Sequence, residues 1–225
     1  MPTTSSAPVV SIRPSYQGFV TVTAWGKAPA VSSLNLPPLP PLGGETTGRN
    51  VVDVVTAEHR ELLELCDRLI AAPDDKRLAG VVIAELSRHL SAEEQYLYPA
   101  VRRTVPGGDE LADRELAEDR QLLITLQHLQ KELSASKIKD VADAVRRHVD
   151  ADAEELLPVL SQMVPIEDLI RVGNRFETAE EAAPTRPHPG TPSTPPWNKV
   201  VDPAVAVVDK LRDVVTGRTT YAKDL

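Results

Sequence analysis

Along the middle of the chain, apolar residues recur at helical spacing. Between residues 50 and 164 they fall at i, i+3, i+4 and i+7, with few prolines and short polar or glycine-rich breaks. This pattern predicts four amphipathic helices over about 50–72, 75–104, 109–134 and 137–163. Ala72-Pro73-Asp74-Asp75 and Pro106-Gly107-Gly108-Asp109 separate them, with Asp109 the expected N-cap of the third, and Ser134-Ala135-Ser136 is the weakest break. Long helices joined by short connections pack antiparallel, so the expected architecture is all-α, an up-down-up-down four-helix bundle over 50–164.

The flanks read differently. Residues 1–49 form a Pro/Ser/Thr-rich N-terminal arm. In it, Leu36-Pro37-Pro38-Leu39-Pro40-Pro41-Leu42 reads as polyproline II, a stiff linker or a ligand for a proline-reading domain, and Phe19–Trp25 alternates weakly like a strand. A short helix is expected over 165–183 and a Pro-rich linker over 184–198, followed by a C-terminal helix and tail over 199–225. The last helix would start with Asp202 as N-cap and Pro203 in its first turn, and stop at Gly217. Its stripe of Val201, Val205, Val208 and Val215 would pack on the bundle or form a homodimer contact.

The bundle repeats itself. Glu58-His59-Arg60-Glu61-Leu62-Leu63 echoes Glu118-Asp119-Arg120-Gln121-Leu122-Leu123, and Arg88-His89-Leu90 echoes Arg147-His148-Val149. Pro99 and Pro158 each follow ten residues after the second-helix histidine of their own half, at offsets of 59–60 residues between halves. Two helical hairpins so related give a bundle with pseudo-two-fold symmetry, in which equivalent positions point inward.

Several of those inward positions are polar. His59 is flanked at helical spacing by Val55, Leu62 and Leu63, and Asp119 by Leu116, Leu122 and Leu123. His89 and Glu93 share a face at i, i+4, as do His148 and Asp152. A lone imidazole on an apolar face is commonly a satisfied core residue. Four helices that each turn such a group inward at repeat-related positions instead point to a metal centre, because unpaired buried carboxylates cost several kcal/mol. The candidate ligands are His59, His89, Glu93, Asp119, His148 and Asp152. Glu115 and Glu155 are reserves better suited to salt bridges. Tyr96 is a packed ring or an outer donor, and Cys66 a core residue. His128 and His188 are expected at the surface.

These residues resemble the hemerythrin-like family, the HHE cation-binding domains, over roughly 50–160. Glu58-His59 matches its first element, and His89-Leu-Ser-Ala-Glu93 with Tyr98-Pro99 its second. In the third and fourth, Asp119 stands where the family has His and Asp152 where it has Glu. The Pro-rich segment and terminal helix are similar to tails of some actinobacterial members. The resemblance implies two non-haem iron ions, or one ion or another divalent metal where the substituted ligands fail. It also implies that the protein binds dioxygen or nitric oxide, handles peroxide, at most with catalase-like turnover, or stores iron. Glu93 and Asp152 would bridge. Three carboxylates add negative charge, which favours ferric iron and lowers the reduction potential. A protein with the substituted site disabled would act as a helical interaction module.

Charge and motifs narrow the field. The net charge of -8 offers no basic surplus for a nucleic-acid backbone. Cys66 is the single cysteine, so no disulfide framework forms. No secretory leader pattern and no membrane-length apolar run is present, so a cytoplasmic protein is expected. Gly-rich phosphate loops, GxSxG and zinc-finger spacings are absent, which argues against hydrolase and nucleotide-binding functions.

Overall fold

The structure is a computed structural model and describes residues 45–190 and 198–225. The expected polyproline and strand segments of the N-terminal arm lie outside the described residues. No strand occurs among the described residues.

Four rods make the bundle. The first is α1 (Val51–Ala71), capped by the Asn50 side chain, which accepts from the Asp53 N–H at 3.1 Å. The second runs through α2 (Lys76–Ala92), a π turn (Glu93–Leu97) and α3 (Tyr98–Thr104). Its cap is Asp75, whose carboxylate accepts from the N–H groups of Arg77 and Leu78, both at 2.9 Å. The third is α4 (Gly108–Lys131). It starts one residue before the expected Asp109 cap, because Gly107 takes the left-handed conformation (φ +71°) that turns the chain into the helix. The fourth runs through α5 (Ala135–Ala151), a second π turn (Asp152–Leu156) and α6 (Leu157–Met163).

The π turns have a chemical cause. Pro99 and Pro158 follow them directly, and a proline has no N–H to close the α-helical bond and presses its ring on the carbonyl four residues back. The helix widens there, and the N–H groups of Tyr98 and Leu157 reach back five residues to the carbonyls of Glu93 and Asp152.

Two apolar layers fill the bundle. One gathers Val51, Val55, Tyr96, Leu97, Leu156, Leu160 and Phe176. The other gathers Leu62, Leu69, Leu86, Leu126, Ile138 and Val145. His59, His89, Asp119 and His148 fall between these two layers along their helices, so the ionisable groups form a polar seam inside the core.

Beyond the bundle, α7 (Ile166–Ala182) lies on α1 and α2 and buries Leu169, Val172, Phe176 and Ala179. Gly173 permits this approach: a Cβ there would stand 2.4 Å from the Arg49 carbonyl oxygen. The following segment is no free linker, since Ala183, Pro184, Thr185 and Pro187 are buried. His188, expected at the surface, is two-thirds covered and bonds Asp209 at 2.9 Å.

The last helix, α8 (Asn198–Thr216), begins four residues before the expected Asp202 cap and ends at Gly217, whose φ is +62°. Of the two expected placements of its valine stripe, on the bundle or on a second copy, Val208 and Val215 do not take the first. Asp209 and Asp213 face inward to His188, Arg186, Thr185 and Arg218, while Val208 (64% exposed) and Val215 (86%) of the apolar stripe face outward. Two hydrogen-bonded ionic anchors hold the helix where apolar contact was expected.

Candidate metal centre

Three imidazoles converge in the polar seam. The Nε2 atoms of His59 and His89 are 3.1 Å apart, and those of His148 and His89 3.4 Å. Nitrogens bound to one ion at ~2.0–2.1 Å in a tetrahedral array sit ~3.3 Å from one another. Glu93 completes the cluster: Oε1 is 3.2 Å from His89 Nε2 and 3.7 Å from His59 Nε2, and Oε2 is 3.4 Å from His148 Nε2. One ligand atom from each of these four residues lies within 4.8 Å of all the others. Asp152 joins from the side, its Oδ2 3.7 Å from His59 Nε2.

Asp119 stands elsewhere. Its Oδ1 is 3.2 Å from His148 Nδ1, the nitrogen that faces away from the other imidazoles, and its Oδ2 accepts from the Tyr98 hydroxyl at 2.6 Å. Glu58 does the same for the other hairpin: its Oε2 lies 2.8 Å from His89 Nδ1. A carboxylate on the outer nitrogen fixes the ring orientation and makes the inner nitrogen a better donor to a cation.

All six predicted ligands are buried, none more than 4% exposed. Both oxygens of Asp152 find no hydrogen-bond donor among the described residues. Buried carboxylate oxygens without donors are costly, and a cation satisfies them directly. Three imidazoles with carboxylates suit iron, zinc or manganese, so the donor set fits a transition-metal ion.

Without a cation, protons take its place. Burial drives His59 down to about 4, so its ring is neutral at pH 7. For His89, burial is outweighed by the Glu93 and Glu58 carboxylates, and its pKa lies well above the ordinary value. For His148, burial is likewise outweighed by Glu93 and Asp119, and its pKa rises to about 10. Glu93 lies well below the carboxylate range because His89 and His148 overcome its burial. Asp152 is held well above it by burial and by Glu93, and Asp119 is raised by burial against the pull of His148.

Sequence reasoning did not find Tyr98, Glu58 or Glu180. Tyr96 is a packed ring, the favoured of its two expected roles, and the π turn inserts a residue that brings Tyr98 onto the inner face. The Tyr98 hydroxyl reaches Asp119 and, at 3.2 Å, Glu93 Oε2, while Tyr96 packs in the core. Glu180 of α7 lies with Glu58 behind His89, and burial beside Glu58 lifts its pKa to about 9. Phe176 meets the His89 ring edge-on at 6.0 Å. The reserve residues Glu115 and Glu155 both pair with Arg114. Cys66 is a buried free thiol, pushed by burial to about 12, and His128 is exposed.

The chain was compared with known proteins. The pattern of the hemerythrin HHE cation-binding domain matches residues 50–160. An uncharacterized hemerythrin-like protein of Schizosaccharomyces pombe is 26% identical over 192 residues, covering 81% of this chain and 94% of that one. A DNA nickase of Nostoc sp. is 28% identical over 147 residues, covering 61% of this chain and 41% of the nickase. No solved structure gives a significant match.

Proposed function

Because residues 50–160 belong to the hemerythrin HHE cation-binding family, we propose that the protein holds non-haem iron in this seam and binds or reacts with dioxygen, nitric oxide or peroxide in the cytoplasm. The observation that carries this reading is the convergence of three imidazole nitrogens and Glu93 on one point, with donorless carboxylate oxygens beside it. His59, His89, His148 and Glu93 would hold one ion. Asp152 would offer oxygen ligands to a second ion, and Asp119 would do so only by giving up its contact with His148 Nδ1. Iron there supplies a redox couple and a coordination position for a small ligand.

The protein's own residues set the conditions. His59 is neutral at pH 7 and offers its lone pair without losing a proton. Glu58 and Asp119 orient the two rings that must be deprotonated. Tyr98 holds its proton, because burial and then Asp119 keep its pKa far above the ordinary value, and so it remains a donor to both carboxylates.

A single-ion centre is the second reading. It is favoured by Asp119, whose contacts are the far side of His148 and Tyr98 rather than the converging atoms. The nickase activity of the Nostoc relative finds no support in this chain's net charge of -8. Metal content per chain, measured with an optical spectrum on protein from iron-replete cells, tests both readings. About two irons with oxo-to-iron charge-transfer bands support the first, and about one iron the second. Metal-free protein overturns both and leaves a helical interaction module.

A further inference from the structure

The repeat places two equivalent grooves on the bundle, one per hairpin, and the molecule treats them oppositely. Between α1 and α2, Leu62, Leu65 and Glu85 frame a groove that ends on His89. Between α4 and α5, their repeat partners Leu122, Thr125 and Ala144 frame a groove that ends on His148.

The first groove is sealed by the chain itself. Glu180 of α7 and Ala222 of the C-terminal tail close it to about 60 Å³. The tail is tied down along its length: Arg218 donates to the Gly80 carbonyl at 2.8 Å, Arg88 to the Thr220 carbonyl at 2.6 Å, and the Ala222 N–H to Glu85 Oε1 at 2.9 Å. Tyr221 covers Arg88, whose guanidinium lies 4.4 Å from the ring centre. The second groove has no such cover among the described residues and measures about 470 Å³. Ala144 stands in place of the Glu85 that holds the tail, and Arg147, the partner of buried Arg88, is exposed.

We propose that the α4–α5 groove is the entrance to the metal centre and a binding site for a small aliphatic molecule with an oxygen head group, the head passing His148 and the chain lying on Ala117, Leu122 and Ala144. This rests on the metal-centre reading above. The capacity argues for more than a diatomic ligand. The groove's volume lies within the ~300–1,000 Å³ of small-molecule sites. Its lining joins apolar Leu122, Ala144 and Ala117, which suit an aliphatic body, to the polar and charged side chains of Glu118, Gln121, Thr125 and Arg147, which suit an oxygen head group.

The test loads the full chain with cobalt(II) and titrates acetate, butyrate and hexanoate, following the visible spectrum of the metal. Affinity is expected to rise about fourfold per buried methylene. The gain should vanish in Ala144→Trp and Thr125→Trp, each of which fills the groove and should weaken all three carboxylates, while cobalt content stays unchanged. Affinity independent of chain length overturns the proposal, as does a gain that survives in both variants. A chain that takes up no cobalt overturns the metal-centre reading, and this proposal with it.

Discussion

Metal binding at this centre should expel protons, and their number follows from the structure. At pH 7 the metal-free seam carries protons on His89 and His148, the first raised well above 6.5 and the second to about 10, while His59 is neutral at about 4. A metal–imidazole bond needs the deprotonated ring. A bound divalent ion held by these rings therefore displaces two protons. Two protons make affinity rise about 100-fold per pH unit, or about 2.7 kcal/mol per unit, while both rings stay protonated in the folded metal-free protein, which for His148 holds up to about 10. Zinc is a suitable probe because it is redox-silent. Calorimetric titration at pH 7 in buffers of different ionisation enthalpy gives the proton count directly, and His148→Gln should lower it by about one. Release of fewer than one proton would refute the assignment of these rings as protonated ligands.

Three further outcomes are expected. Tyr98→Phe keeps the ring volume but removes the hydroxyl shared by Asp119 and Glu93, and should cost metal-free protein about 2 kcal/mol in urea unfolding; an unchanged midpoint refutes that role. Gly173→Ala drives a Cβ against the Arg49 carbonyl and should cost about 1–3 kcal/mol, read as a lower Tm. Glu180 keeps its proton in the folded state up to about 9 against 4.5 in a free carboxyl, so the metal-free protein should lose stability as pH rises through that window; Glu180→Gln should flatten the loss, and an unaltered pH profile would exclude Glu180 as its source.

The bundle was legible in the sequence because its apolar period is strict, and the inward imidazoles because each breaks that period. The two π turns were not legible. An inserted residue leaves the apolar pattern intact on either side, and only the prolines ten residues after His89 and His148 mark the place. That one-residue shift hid Tyr98, which regular helical spacing leaves off the His89 face. The inward face of α8 was also not legible. A valine stripe usually marks the buried side, but here Arg186 and His188 from an earlier segment and Arg218 just beyond the helix bury Asp209 and Asp213. Such pairings leave no periodic trace. Glu180 and the tail residues were invisible for the same reason, since they meet His89 only after α7 and the C-terminus fold back.

The chain's departures from family pattern and its added segments act on opposite halves of the bundle. The hairpin that keeps the family's HxxxE element, His89 with Glu93, is the one that α7 and the tail cover. There Phe176 lies against the His89 ring, and Glu58 is held between His89 and Glu180. Water excluded from that side strengthens the His89–Glu58 interaction, since charges attract more strongly at low dielectric. The hairpin carrying Asp119 and Asp152 is the uncovered one, with His148 at the floor of the open groove. On the proposed reading, Asp119 and Asp152 are the substituted ligand positions, and they lie in the half whose groove stays open. A half covered by α7 and the tail and a half left open follow from one repeat once these segments are laid against only one of its copies.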